Sequence, residues 1–220
     1  MAGENPKVIW VNHSTIVSDT EVEAVMAACL LQVQRDFEPA WHVGCRMAFV
    51  TDPVVGHPWI VDVLDDSDVQ GALAYHEIVN GVPYMKIFAR TCAQNGVNWS
   101  IAASHELLEA LGDPFVDRTV QTGVFQFNAM ETGDPVERSS YLINGVEVTD
   151  FITPKWFNDA IRQTGPHPYD FLGHLTAALE LEAGGYAAYW TPWTLWTTVS
   201  ADGSKSRFHL RRPTRVERAD

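Results

Sequence analysis

The chain has 220 residues, 46% of them hydrophobic and 20% charged, which predicts a folded domain with a substantial core rather than a disordered chain. Its formal net charge of −13 repels phosphate backbones and anionic lipid surfaces, which argues against nucleic acid and membranes as partners. Its apolar stretches are too short to span a bilayer, and no basic flank precedes an apolar leader. A cytoplasmic protein is therefore expected.

The hydrophobic pattern predicts an alternation of strands and helices. A buried strand at Lys7–Asn12 precedes a helix that begins at Ser18, where Ser18 and Glu21 form a capping box, and that ends before Pro39. Strands follow at 46–51, 59–64, 71–78 and 83–89, and Asn80-Gly81 turns the last two into a hairpin whose first strand lies at a sheet edge. A helix over 99–112, capped by Asn98 or Ser100, is apolar on most sides.

Beyond that helix the pattern is mainly of strands. They are predicted at 124–127, in a hairpin over 141–148 turned by Asn-Gly, and at 185–190 and 195–199. The basic residues Arg207, Arg211, Arg212, Arg215 and Arg218 form a cluster that we expect to be a solvated tail able to dock on an acidic partner. Three widely spaced cysteines without a CxxC pair argue against a disulfide framework and a thiolate zinc site, and Cys29 is expected to be a small buried apolar residue.

Chemistry is concentrated in the helix over 99–112, which carries the motif HExxE. Residues four apart share a helix face, so His105 and Glu109 can bind one metal ion, with Glu106 beside them as general base for a metal-activated water. One imidazole with carboxylates can bind zinc, and it also tolerates manganese, iron or calcium. The alternative for the same residues is a buried hydrogen-bonded cluster that pins the helix.

A third metal ligand must come from outside this helix. Glu131 is the first choice, with Asp134 as a carboxylate that orients His105. Asp113 is also a possible ligand because the helix breaks at Gly112, although its carboxylate can equally well accept local backbone amides as a structural plug.

The order strand, helix, two strands, edge strand, strand, motif helix resembles the zincin fold of metallopeptidases over residues 7–112. Gly112 matches the glycine that ends the helix in metzincins, but Phe115 stands where a metal-binding residue is expected, and a downstream Glu resembles the gluzincin arrangement instead. Nearly the whole chain also resembles a family of bacterial and phage-encoded proteins, through the segments 104–109, 134–137 and 150–157. The resemblance implies a virion-associated location if the gene is phage-encoded.

These observations predict an α+β fold, with a zincin-like mixed sheet, an N-terminal helix and a buried HExxE helix, followed by a β-rich, aromatic-rich C-terminal half. The expected division is a zincin-like core over residues 1–157 and a β-rich extension over 158–220, packed on the core and ending in the basic tail.

Two further side chains are candidates for catalysis, and one segment is a candidate for calcium. His76 on the edge strand can bind substrate or stabilise an oxyanion, or be an ordinary core histidine, and Tyr141 can donate to a transition state or be a half-buried sheet tyrosine. Glu131, Asp134 and Glu137 can form a calcium site or a solvated acidic turn.

Two functions follow. The first is a zinc-dependent or other metal-dependent hydrolase, a narrow-specificity metallopeptidase whose edge strand near His76 aligns a peptide or protein substrate. The second is a non-catalytic structural or interaction protein, such as a phage virion or assembly component with a protein assembly partner, that retains a zincin fold.

Overall fold

The computed structural model describes residues 5–51, 56–163 and 167–208, and over these ranges the protein has an α+β fold. The helices are α1 (Asp19–Gln32), α2 (Glu38–Trp41), α3 (Ala89–Gln94) and α4 (Trp99–Gly112). The strands are β1 (Lys7–Asn12), β2 (Arg46–Phe49), β3 (Trp59–Leu64), β4 (Ala74–Val79), β5 (Val82–Phe88), β6 (Thr119–Gln121), β7 (Phe127–Ala129), β8 (Ser140–Ile143), β9 (Val146–Thr149), β10 (Tyr186–Trp190), β11 (Trp196–Ser200) and β12 (Lys205–Phe208). Most of the predicted basic tail, from Arg211 onward, lies outside the described residues.

Strands β1 to β5 form the first sheet, in the order β2-β1-β3-β5-β4. The strands β1, β2, β3 and β5 run parallel, and β4 pairs antiparallel with β5. The prediction that β4 lies at the edge is confirmed, because β4 is the last strand in this order. A tight hairpin joins β4 to β5. Asn80 and Gly81 adopt φ values of 52° and 81°, the left-handed conformation that this turn requires.

Helix α1 begins as predicted and ends differently. The capping box is present, since Ser18 Oγ accepts from the Glu21 amide and the Glu21 carboxylate accepts from the Ser18 amide. The predicted end before Pro39 is wrong, because a π-helical turn at Val33–Phe37 carries the helical backbone on into α2. The wider turn places Pro39 in the first turn of α2, where its missing N–H costs little.

Helix α4 is buried over the whole of residues 102–112 and lies between the first sheet and the β8–β9 hairpin. Asn98 caps it, as predicted, by accepting from the Ser100 amide. Polar contacts fix the hairpin to the helix: Ser100 Oγ donates to Glu147 O (2.6 Å), and Ser104 Oγ accepts from the Thr149 amide (2.8 Å). No helix among the described residues is long and apolar enough to cross a bilayer.

The main core lies between the first sheet and the helices α1 and α4. Apolar residues from all three fill it at essentially zero exposure, among them Val8, Trp10, Val22, Val61, Ile87, Leu107 and Leu108. All three cysteines are buried, and the prediction that Cys29 is a buried apolar residue is confirmed.

The second sheet has the order β12-β11-β10-β7-β6 and joins distant parts of the chain. Strands β10 to β12 come from the segment predicted to be a C-terminal extension, whereas β6 and β7 lie before residue 157. A second link runs from residues 151–153 to 169–171, through the bridge between Ile152 and Asp170 and the bond from the Phe171 amide to Phe151 O. The predicted extension is therefore integrated into a sheet that both segments build.

A buried carboxyl pair lies at this second link. Asp150 Oδ1 accepts from the Phe151 and Leu172 amides, and Asp170 accepts from the His174 and Leu175 amides. Burial, together with the negative charge of Asp170, raises the pKa of Asp150 to about 8. Asp150 therefore keeps a proton at neutral pH in the folded protein.

This pair predicts a loss of stability as the pH rises. The folded state holds the Asp150 proton between the ordinary value of 3.8 and about 8, whereas the unfolded state releases it, so stability is full below that window and falls through it. One proton held only by the folded state corresponds to about 1.4 kcal/mol per pH unit. In Asp150→Asn, whose amide mimics the protonated form, the slope of Tm against pH should be shallower than in the wild type. Equal slopes in urea or thermal melts between pH 5 and pH 8 would contradict the assignment.

Candidate metal centre

The motif helix α4 presents its ionisable side chains to the protein interior. His105, Glu106 and Glu109 are each at most 1% exposed. Apolar residues on most sides of α4 pack against the core. Because the whole helix is buried in this way, its polar residues are buried too. Buried ionisable groups are costly unless a partner or a cation compensates them, so their arrangement is informative.

The first group of metal-compatible donors consists of His105, Glu109 and Asp134. His105 Nε2 lies 3.3 Å from Glu109 Oε1 and 3.5 Å from Asp134 Oδ1. Two donors that share one ion at tetrahedral geometry, with bonds of about 2.1 Å, are separated by about 3.4 Å. The separations in this group therefore fit the ligands of one ion.

The second group consists of His76, Glu106 and Glu109. His76, on β4, is fully buried, and its Nδ1 donates to Glu106 Oε2 at 2.8 Å and lies 4.0 Å from Glu109 Oε2. Burial lowers the pKa of His76, but the hydrogen bond and charge of Glu106, with the charges of Glu109 and Glu131, outweigh burial and raise it. The candidate general base and the candidate substrate-binding histidine are thus bonded to each other.

The loop over residues 131–134 covers the helix at very short range. A Cβ atom at Gly133 would stand 2.5 Å from His105 Nδ1 and Cε1, and a Cβ atom at Gly112 would stand 2.9 Å from Thr132 Cγ2. Only glycine at these two positions lets the loop lie directly on the helix. Asp134 reaches His105 because of this close approach.

The two loop carboxylates differ in their position relative to His105. Asp134, expected to orient His105, is in the first donor group, whereas Glu131, expected to be the third ligand, is in neither group. Glu131 is nevertheless buried at 3% exposure and close enough to raise the pKa of His76. The spacing along the chain did not reveal which oxygen faces the histidine, because that depends on the turn at Asp134–Val136.

Two predicted site residues, Asp113 and Tyr141, form hydrogen bonds with residues outside the two donor groups on α4. Asp113 Oδ1 accepts from the Asp117 and Arg118 amides at 3.0 Å, which is the structural alternative that the sequence allowed, and Asp113 joins neither donor group on α4. The Tyr141 hydroxyl donates to Asp36 Oδ2 at 2.8 Å. Burial, with the charge of Asp36, raises the pKa of the Tyr141 hydroxyl.

The carboxyl groups of Glu131, Asp134 and Glu137, predicted as a calcium site, do not face one common point. Asp134 faces His105, and Glu131, Asp134 and Glu137 form no common donor group within the described chain. Glu137 is only half-buried, and burial raises the pKa of its carboxyl.

A third donor group, which the sequence did not reveal, consists of Asp150, Asp170 and His174. Four backbone amides already bind the two carboxyl groups, and His174 is exposed and bonded through Nδ1 to Ser139 Oγ. This group is therefore a structural link between segments.

The α4 centre is rich in carboxyl groups. Glu106, Glu109, Glu131 and Asp134 are all at most 3% exposed, and no Lys or Arg is among the buried residues of the described ranges. Two atoms of the second group, His76 Nε2 and Glu106 Oε1, are buried and have no hydrogen-bond partner among the described residues. Most buried polar atoms in folded proteins are paired, so this donor set fits a site that takes cations.

Comparison of the chain with protein-family models, with curated proteins and with solved structures finds no match. The role of the centre must therefore be inferred from its own residues.

The close packing at Gly133 can be tested directly. Gly133→Ala should lower the free energy of unfolding by about 1–3 kcal/mol, because the added methyl group overlaps the His105 ring and the loop must move away from α4. Gly123→Ala is the matched control, since its Cβ atom would meet only Gln126 at the ordinary distance of 3.4 Å. Urea melts of both variants measure the effect, and equal stability of the two would contradict the packing described.

Proposed function

We propose that the protein is a metal-dependent hydrolase, a peptidase of narrow specificity, that holds a divalent transition-metal ion between His105, Glu109 and Asp134. The observation that carries this proposal is the pair of separations from His105 Nε2, 3.3 Å to Glu109 and 3.5 Å to Asp134, inside a buried centre. One nitrogen and two carboxylate oxygens suit zinc, and they also suit manganese or iron.

A zincin-like fold is part of the proposal. The chain runs β1, α1, β2, β3, β4, β5 and α4, with β4 reversed at the sheet edge, and this is the element order expected from the resemblance. The short helix α3 connects β5, the last strand of the first sheet along the chain, to the motif helix α4. The metal-compatible side chains of α4 lie beside β4. This arrangement supports the zincin-like assignment without a matching relative.

The proposed chemistry is metal-assisted hydrolysis of an amide. The ion would supply Lewis acidity, which activates water and polarises the scissile carbonyl. Glu106 would accept the proton of the attacking water through Oε1, for which the described part of the chain supplies no hydrogen-bond partner, and His76 would hold the other carboxylate oxygen. The substrate would pair as an extended strand with β4, whose outer edge is unpaired in the described sheet and is more exposed over residues 77–79 than over 74–76.

One observation favours a second function. Every donor of the centre is at most 3% exposed, whereas catalytic metal sites keep one position open to solvent or substrate. A closed centre suits a structural ion that ties β4, α4 and the 131–134 loop together in a non-catalytic assembly protein. Metal binding is common to both functions, and catalysis separates them.

The metal can be tested by elemental analysis of protein purified without chelator. The wild type should carry at least one equivalent of a transition metal, and His105→Ala should carry one equivalent less because it loses the central donor. His13→Ala is the control, since His13 is mostly exposed and bonds Asp62 outside the centre. A folded, metal-free wild type that also fails to take up added zinc would exclude both metal-based functions.

Catalysis can be tested with Glu106→Gln, assayed on a peptide library. We expect kcat to fall about 10²–10⁴-fold, the usual contribution of a general base, while Tm and the ion at His105 are retained. Glu23→Gln, on the exposed side of α1, is the control and should keep full activity. Full activity in Glu106→Gln would refute the base assignment, and a metal-loaded wild type that cleaves nothing would favour the assembly protein.

A further inference from the structure

We propose that the centre binds two divalent cations rather than one, with Glu109 as the bridging carboxylate. The first cation is the one assigned above, on which this inference rests. The second lies between His76, Glu106 and Glu109 and makes His76 a metal ligand, a role that the motif on α4 does not indicate.

The two oxygens of Glu109 point to different histidines. Oε1 lies 3.3 Å from His105 Nε2, and Oε2 lies 4.0 Å from His76 Nδ1. Each imidazole belongs to its own donor group, and Glu109 is the member that the groups share. Paired metal ions in hydrolytic enzymes lie about 3.5–4 Å apart, a span that one carboxylate can bridge with its two oxygens.

Charge favours two cations over one. The four carboxylates of the centre, Glu106, Glu109, Glu131 and Asp134, carry four negative charges when ionised, and each is at most 3% exposed. Each divalent cation offsets two of these charges. Because uncompensated charge in a dry interior is costly, the second cation stabilises the folded state further.

The geometry of the second group suits an ion that prefers octahedral coordination. His76 Nδ1 and Glu106 Oε2 are 2.8 Å apart, close to the separation of about 3.0 Å between neighbouring ligands of an octahedral ion with bonds of about 2.1 Å. A cation bound between these two atoms replaces the proton of the hydrogen bond from His76 Nδ1 to Glu106 Oε2. Glu106 then binds through Oε2 and keeps Oε1 for the proton of the attacking water, as the proposed hydrolysis requires.

The test is the stoichiometry of Mn²⁺ binding, measured by equilibrium dialysis with elemental analysis. The wild type should bind two equivalents. His76→Gln should lose the second and Asp134→Asn the first, so each should bind one. His13→Gln, a histidine outside the centre, should still bind two.

Electron paramagnetic resonance of the Mn²⁺-loaded protein gives an independent readout. Two ions bridged by one carboxylate are magnetically coupled, so the six-line Mn²⁺ signal should broaden and weaken when the second equivalent binds. The signal of His76→Gln, loaded with one equivalent, should stay that of an isolated ion. If circular dichroism shows that His76→Gln is unfolded, Glu106→Gln replaces it, because it weakens the same group through the other ligand.

The outcomes separate the two proposals. One equivalent in the wild type, lost in Asp134→Asn and kept in His76→Gln, overturns the second cation and leaves the proposed function standing. Two equivalents with uncoupled signals overturn the bridge. No binding of Mn²⁺ or Zn²⁺ at all overturns both proposals.

Discussion

The burial of negative charge along one face of α4 is the constraint on which the rest of the centre depends. A helix packed on nearly all sides by apolar neighbours cannot hydrate Glu106 and Glu109, so compensation must come from side chains or ions brought to the helix by other parts of the chain. β4 brings His76, and the loop after β7 brings Asp134. Glu109 occupies the middle of this arrangement because it faces both histidines.

Two features of the fold bring His76 and Asp134 to α4: the antiparallel edge strand β4 and the two glycines Gly112 and Gly133. The reversal of β4 at the sheet edge sets His76 beside the motif helix, and the absence of side chains at Gly112 and Gly133 lets the covering loop approach closely enough for Asp134 to face His105. The hairpin β8–β9 closes the other side of α4 through the hydroxyls of Ser100 and Ser104. The centre is thus held from three directions by elements that are far apart in sequence.

Sequence reasoning succeeds where the physical cause is local. The capping box at Ser18, the cap at Asn98 and the Asn-Gly turns are each determined by a few adjacent residues, and the structure has all of them. It fails where distant segments meet. The bond between His76 and Glu106 joins residues 30 apart in sequence, and no periodicity encodes it.

Other failures have the same cause. Which loop carboxylate faces His105 depends on the turn at Asp134–Val136, and the bond from the Tyr141 hydroxyl to Asp36 joins residues 105 apart in sequence. The sequence predicted β10 and β11 of the second sheet but not β6 or β12, and it did not indicate that β7 pairs with the distant strand β10.

The contact between the turn that follows the 131–134 loop and the segment before β10 determines when, during synthesis, the centre can be completed. The turn at Asp134–Val136 contacts the segment leading to β10, where the Glu182 amide donates to Pro135 O. A nascent chain that has exposed α4 but not yet residues 182–190 therefore lacks the support that holds Asp134 over the helix. Because chains emerge at about 5–20 residues per second, the acidic face of α4 spends several seconds outside the ribosome before that support arrives. The proposed metal centre would in this way be completed only after residues 182–190 have been synthesised.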